Sequence, residues 1–167
     1  MEYYQGTFVN GKKEGKGLLE CINGEIYDGW RKNDKKEGKG IYYDANDEWT
    51  YKGEWSNDKK NGEAEELYSN GAYFSGNLVN GVKEGKGYYY IPEQFSYQGT
   101  FKNNEYHGEG EYHDIKEKSS YVGGYRNNLY HGKGRYKKPG YEYDGEWSNG
   151  LKWGRGEEKI GNNRYRG

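Results

Sequence analysis

The chain has 167 residues, of which 31% are hydrophobic, 18% are aromatic and 29 are glycine, and its formal net charge is -1. The balance of 26 basic against 27 acidic side chains excludes the strongly positive surface that typifies nucleic-acid-binding proteins. No apolar run approaches the roughly 20 residues of a membrane span, the first residues do not resemble a signal peptide, and the single Cys21 excludes an internal disulfide. We therefore expect a soluble, cytoplasmic protein.

The first predicted element is a unit that begins at Tyr4 and recurs along the whole chain. An aromatic residue returns every 22–24 residues, each time with a glycine two positions later, and a Gly-x-Gly follows in all full units except one, where Ala64 replaces the second glycine. Recurrence at a fixed period predicts a repeat protein. We predict a single array over residues 1–167, with units starting near residues 4, 27, 51, 74, 97, 121 and 143 and a partial eighth from residue 165.

Each unit has the period of a β-strand. In the third unit, Tyr51, Gly53 and Trp55 alternate with polar residues, and side chains two positions apart share one face of a strand. In the fifth unit we place Gly108, Gly110 and Tyr112 on the same face by the same rule. A glycine leaves a slot in which an aromatic ring from a neighbouring strand can lie against the backbone. Aromatic and glycine residues are therefore predicted to form one packing device.

Asparagines mark the predicted turn between the two strands of each unit. They stand six residues after the leading aromatic, and asparagine tolerates the left-handed backbone that tight turns require. The seven predicted turn residues are Asn10, Asn33, Asn57, Asn80, Asn103, Asn127 and Asn149.

Along the chain, two units depart from the aromatic pattern. In the second unit Trp30 comes one position early, so that Arg31 occupies the position of the second aromatic, and in the fourth unit Leu78 replaces that aromatic. We expect these changes to alter local packing and to leave the fold intact.

The motif Tyr-x-Gly-x-Trp, a turn asparagine and then Gly-x-Gly, at about 23 residues per unit, resembles the MORN repeat (membrane occupation and recognition nexus). The resemblance implies an all-β fold: an elongated, single-layered antiparallel sheet with two strands per unit, twisted into an open, solenoid-like ribbon. It also implies a place at a junction between cytoskeleton and membrane. We expect an unpaired terminal strand to allow end-to-end association between copies of the chain.

Few residues offer catalytic or metal chemistry. His107 and His131 share one repeat position, but equivalent positions two strands apart lie near 10 Å, too far for one metal ion. His113 and Cys21 have no ligand or catalytic partner at a suitable spacing. We therefore predict no enzyme activity, no catalytic residue, no metal and no cofactor.

Paired lysines recur at one repeat position and are predicted to line one rim. They could contact anionic lipid or an acidic partner, although acidic residues interrupt them and the solvated-loop interpretation is favoured. The rim residues are Lys12, Lys13, Lys35, Lys36, Lys59 and Lys60.

The aromatic face is the stronger candidate for function, because a single-layered sheet has no second layer to cover it. An exposed aromatic patch usually marks a binding surface. We predict a groove that binds a helical or extended segment of a protein partner; the alternatives are a phospholipid-binding module and an accessory region of a larger lipid kinase or SET-type methyltransferase. The predicted partner-binding residues are Trp55, Phe101, Tyr112, Tyr125, Tyr136 and Trp147.

Overall fold

The computed structural model describes residues 1–167, and all of its regular elements are β-strands. Fifteen strands follow one another in chain order in one open antiparallel sheet. The structure has no helix, and hence none long and apolar enough to cross a membrane. The prediction of an all-β repeat fold with two strands in each unit is confirmed.

The chain divides into two compact parts, each of which we call a unit from here on, whereas a single repeat is called a repeat. The first unit is residues 1–82 and the second unit is residues 83–167. The strands of the first unit are β1 (Glu2–Val9), β2 (Lys12–Cys21), β3 (Ile26–Lys32), β4 (Lys35–Asp44), β5 (Trp49–Ser56), β6 (Lys59–Leu67) and β7 (Tyr73–Val79). The second unit takes nearly all of β8 (Val82–Ile91), followed by β9 (Phe95–Lys102), β10 (Glu105–Asp114), β11 (Ser119–Arg126), β12 (Leu129–Lys138), β13 (Tyr141–Ser148), β14 (Leu151–Ile160) and β15 (Asn163–Arg166). The single array over residues 1–167 stays a prediction.

All seven predicted turn asparagines lie in tight turns between strands, with φ between 49° and 52°. This left-handed backbone is costly for most residues, and the short polar side chain of asparagine tolerates it. In the turn after β9, for example, the backbone N–H of Asn103 donates to Glu84 Oε1 at 2.9 Å. The turns are therefore bonded to the preceding repeat.

The leading aromatic ring and two glycines fit together as the sequence predicts. A Cβ atom added to Gly99 would lie 2.7 Å from Tyr97 Cζ, and one added to Gly110 would lie 2.6 Å from Tyr97 Cε2. The Tyr97 hydroxyl donates a hydrogen bond to the carbonyl oxygen of Thr100 at 2.9 Å. Equivalent bonds of 2.6–3.1 Å recur at Tyr27, Tyr51, Tyr121 and Tyr143. These five leading tyrosines are thus fixed at both the ring and the hydroxyl, whereas the Tyr4 hydroxyl has no partner.

The first glycine of Gly-x-Gly has a different role from the second. Gly108 has φ of +65°, and the register between β9 and β10 shifts between His107 and Gly110. A Cβ on Gly108 would meet the side chain of Thr100 at 3.5 Å, and no ring. The prediction that Gly108 lies on the same face as Gly110 and Tyr112 was therefore wrong. At the β-bulge a side chain on residue 108 would point to the opposite face of the strand.

The core of both units is a layer of side chains on one face of the sheet, which we call the ring face because it carries the leading aromatics. Its most deeply buried members are less than 2% exposed: Tyr27, Tyr51, Tyr97, Tyr121, Phe74 and Leu78. The opposite face, which we call the polar face, leaves residues such as Ile41 and Val122 exposed. Each strand therefore buries alternate side chains.

Candidate functional site

The second aromatic of the third, sixth and seventh repeats lies between the leading rings of two successive repeats. Tyr125 packs edge-on against Tyr97 and Tyr121, with ring centroids 5.3 and 5.1 Å away, and Trp147 packs in the same way against Tyr121 and Tyr143 at 5.5 and 5.1 Å. Edge-to-face contacts at these distances stabilise aromatic pairs by about 0.5–1.5 kcal/mol beyond area burial. The second aromatics therefore connect neighbouring repeats.

Four of the six aromatics predicted to form an open surface are buried. Trp55, Phe101, Tyr125 and Trp147 are only 2–7% exposed. The expectation that they stay open was wrong, because they fill the space between the leading rings and the covering side chains. Their role in partner binding stays a prediction. A partner on this face would contact the side chains that cover these rings before it reached the rings themselves.

A layer of side chains, which we call the covering layer, lies over these rings. Its members stand at the tenth and sixteenth positions of the repeats, counted with the leading aromatic as the first. Tyr106 and Tyr130 stack on the leading rings of Tyr97 and Tyr121, with centroids 3.7 Å apart in both pairs. Burial raises the pKa of Tyr97 and Tyr130 to about 12. The other half-buried tyrosines of the layer in the second unit are Tyr89, Tyr112 and Tyr136.

This covering layer surrounds an open cavity in the second unit. The cavity has a volume of about 610 Å³, within the usual range for ligand-binding clefts. Three of the predicted partner-binding residues, Tyr112, Tyr125 and Tyr136, line it. The remaining aromatic and acidic lining residues are Phe95, Tyr106, Tyr130, Asp114 and Glu117.

In the first unit the tenth position holds lysine, and its ammonium group lies over the rings. Lys36 Nζ is 4.2 Å from the ring centroid of Tyr42 and 4.5 Å from that of Trp55. Lys60 Nζ is 4.0 Å from the ring of Trp49 and donates a hydrogen bond to Glu66 Oε1 at 2.6 Å. Burial lowers the pKa of Lys36. The ring face thus binds cations of its own chain here.

These contacts correct the predicted lysine rim. The first lysine of each pair, Lys12, Lys35 or Lys59, is exposed, whereas the second is half-buried and lies over the ring face. Because neighbouring strand residues point to opposite faces, the six lysines cannot line one rim. The residues wrongly placed on the rim are Lys13, Lys36 and Lys60.

No group of three or more His, Cys, Asp or Glu side chains is placed to hold a metal ion. His107 and His131 are half-buried, and the Nδ1 atom of each is buried without a hydrogen-bond partner. His113 Nε2 lies 2.7 Å from Glu111 Oε1, and Cys21 is a half-buried free thiol. None of these residues forms a catalytic arrangement with another.

Repeated antiparallel hairpins, with buried rings beneath a covering layer on one face, define an all-β repeat protein. The sequence profile of the MORN repeat matches residues 4–26, 30–48, 51–73, 74–93, 97–115, 121–141 and 143–163. The chain therefore belongs to the MORN-repeat family, whose members are generally binding modules and not catalysts. No curated protein sequence matches it significantly.

A solved structure with a similar fold is that of the SAS-4 (dCPAP) TCP domain of Drosophila melanogaster in complex with a proline-rich motif of Ana2 (dSTIL). The TM-score is 0.52 at 10% sequence identity, and the match covers 98% of this chain and 93% of that chain. At this identity the likeness concerns the fold.

Sequence reasoning missed the two tyrosines that cover the leading rings of the second unit. Tyr106 and Tyr130 stand at the tenth repeat position, where the other full repeats have lysine. This local exchange of lysine for tyrosine was visible in the aligned repeats and could have identified them. Asp114, by contrast, is the last residue of β10 and Glu117 lies in the turn that follows, an irregular connection that the repeat pattern does not describe.

Proposed function

We propose that this protein is a non-enzymatic interaction scaffold whose ring face in the second unit binds an extended segment of a protein partner. The observation that carries the proposal is the open cavity of about 610 Å³ lined by half-buried tyrosines. Tyrosine suits such a surface, since its ring packs against apolar groups while its hydroxyl stays hydrated. The rigid layer of rings beneath would hold these side chains in place before the partner arrives.

The spacing of the covering tyrosines favours a partner in the polyproline II conformation. Tyr89, Tyr112 and Tyr136 share one repeat position and stand on every second strand, so that about 9.6 Å separates neighbours. A polyproline II segment advances about 9.3 Å in each turn of three residues. Every third residue of such a segment, running across the strands, would therefore meet a tyrosine of successive repeats.

The fold comparison supports the same class of partner. The similar Drosophila domain is in complex with a proline-rich motif, and this supports a proline-rich segment as the partner proposed here. Proline-rich segments commonly dock on aromatic grooves, because their conformation costs little further entropy on binding. A helical segment is the alternative outcome of the test below.

The test is capture of a partner from the native source, followed by binding measurements with two double variants. Tyr112→Ala with Tyr136→Ala removes two covering rings, whereas the control, Tyr88→Ala with Tyr90→Ala, removes two tyrosines from the polar face of β8. Rings at the centre of an interface contribute on the order of 2 kcal/mol each, so the first variant should bind at least about 30-fold more weakly.

The control variant should retain normal affinity, and thermal unfolding of both variants should verify their folding. Equal affinity of the ring-face variant and the wild type would contradict the proposal. Phe101→Ala and Tyr125→Ala would be poor probes, because both side chains are buried and their truncation would test stability.

The finer setting rests on the family resemblance. We propose that the scaffold acts at a junction between cytoskeleton and membrane, with end-to-end association of copies as an additional arrangement. Direct lipid binding is disfavoured, because only Lys12, Lys35 and Lys59 of the six lysines are exposed. Sedimentation with vesicles containing 20–30% phosphatidylserine at physiological salt should leave the protein in the supernatant; co-sedimentation that Lys12→Glu with Lys35→Glu abolishes would reverse this ranking.

A further inference from the structure

Two carboxylates of the covering layer are each paired with a lysine of the same repeat. In the third repeat Glu66 is paired with Lys60, and in the seventh repeat Glu158 is paired with Lys152. In both places the chain supplies an ammonium group at the tenth position, and that group also lies over an aromatic ring. A cation between a carboxylate and a ring is therefore a recurring arrangement on this face.

The fifth repeat supplies the carboxylates, and the fifth and sixth repeats supply the rings, but neither supplies a cation to the cavity. Asp114 and Glu117 line the cavity, and neither forms an ion pair with a basic residue of the chain. Tyrosine occupies the tenth position in both repeats, and no Lys or Arg is among the residues that line the cavity. The neighbouring Lys116 and Lys118 belong to the same turn and do not line it either.

A buried polar group in the cavity wall also lacks a partner. Tyr125 lines the cavity and is only 4% exposed, and its hydroxyl group has no hydrogen-bond partner. A buried hydroxyl without a partner costs about 1–3 kcal/mol. An N–H donor that entered between the covering rings would recover part of this cost.

We propose that this cavity binds a basic side chain, lysine or arginine, carried by the extended partner segment. The occupant would lie over the rings of Phe95, Tyr106 and Tyr130, with its charge facing Asp114 and Glu117. The first unit provides a related precedent, since the ammonium groups of Lys36 and Lys60 lie over aromatic rings of the same face there, at the repeat position that Tyr106 and Tyr130 occupy in the second unit. This inference rests on the proposed function and adds the charge of the residue that is recognised.

The experiment uses two blocked peptides, acetyl-Pro-Pro-Lys-Pro-Pro-amide and the same peptide with norleucine in place of lysine. Each is titrated into the full chain, and binding is followed by NMR of the aromatic side chains. We expect the lysine peptide to bind about five- to tenfold more tightly, and its shifts to centre on Tyr106, Tyr112, Tyr130 and Tyr136. Raising the salt concentration should reduce the difference.

Two charge variants locate the effect. Asp114→Asn with Glu117→Gln should remove the preference for lysine and leave the affinity for the norleucine peptide unchanged. The control, Glu109→Gln with Glu111→Gln, makes the same change of net charge on the polar face of β10 and should keep the preference. Thermal unfolding should verify that both variants are folded.

The outcomes separate this inference from the proposed function. Equal binding of the two peptides, or a preference that survives Asp114→Asn with Glu117→Gln, would overturn the cation site while leaving an apolar groove. Failure of both peptides to bind would also overturn the cation site, and the captured partner with the Tyr112 and Tyr136 variants would decide the scaffold proposal separately. An arginine peptide that binds as the lysine peptide does would support a site for either basic side chain.

Discussion

Replacing Gly99 by valine should destabilise the protein strongly, whereas the same replacement at the adjacent Gln98 should not. A Cβ on Gly99 would lie 2.6 Å from the Cα of Gly110 and 2.7 Å from Cζ of Tyr97. Non-bonded carbon atoms prefer about 3.5–4.0 Å, so the ring or the opposite strand must move. Gln98 is exposed and its side chain points to the polar face.

The expected loss follows from two contributions. Overpacking in a filled core costs about 1–3 kcal/mol, and displacement of the Tyr97 ring would also break its hydrogen bond to Thr100, at about 1 kcal/mol. We therefore expect Gly99→Val to lose about 3 kcal/mol, whereas Gln98→Val should stay within about 0.5 kcal/mol of the wild type. Valine is the better probe than alanine, because the third repeat accommodates a methyl group at Ala64, which aligns with Gly110 on the other side of the same ring slot.

Thermal unfolding followed by circular dichroism and intrinsic fluorescence measures the difference. For a chain of this length the loss corresponds to a decrease in Tm of about 6–12 °C. Equal decreases for the two variants would show that the ring face and the polar face are assigned the wrong way round. An unchanged Tm for Gly99→Val would show that the slot is not filled in solution.

Three further predictions concern other parts of the fold. Burial raises the pKa of Tyr97 and Tyr130 to about 12, against about 10 in an unfolded chain. Their contribution to stability should therefore be full below pH 10 and be lost progressively between pH 10 and 12. Absorbance at 295 nm and Tm, both measured at pH 9, 10.5 and 11.5, test this. Arg31 is 6% exposed and its Nε atom has no partner, so Arg31→Phe, which restores the aromatic of the repeat, should raise the free energy of unfolding by about 0.5–2 kcal/mol; a loss of stability would show that the hydrogen bond from Arg31 to the carbonyl oxygen of Asp34 matters more. Asn103 has φ of 51°, so Asn103→Val should lose about 1–2 kcal/mol in urea unfolding while Asn103→Gly stays near the wild type, and equal losses would contradict a role for the backbone conformation.

The repeat period and the strand alternation were enough to predict most of the fold from the sequence. Each leading tyrosine and its glycine recur in register, so the pairing of rings with slots followed from side-chain direction alone. The irregularity at Gly108 was not predictable in this way, because two extra residues of β10 stand opposite one step of β9 and change the facing of Gly108 without changing the spacing of the motif.

The candidate site was predicted less well, for a related reason. Alternation identifies the face of a residue but not its depth, and four of the proposed contact residues turned out to be buried. Trp55 lies beneath Lys36, and the other three lie beneath Tyr106, Tyr130 and their neighbours. Depth depends on which strands bring side chains over the same ring, and this requires the register between strands. The lysine pairs failed in the same way, since the second lysine of each pair reaches across to rings on other strands.

The stacking of Tyr106 on Tyr97 has a consequence for how such chains can diverge. The slot and its ring come from one set of repeat positions, and the covering side chains come from another. The side chains that would contact a partner can therefore change while the residues that maintain the fold stay the same. Exchanging the tenth-position residues of two repeats, Lys60 for tyrosine and Tyr130 for lysine, should transplant recognition from one hairpin to another. The covering residue of each hairpin can in this respect evolve independently of those on the other hairpins.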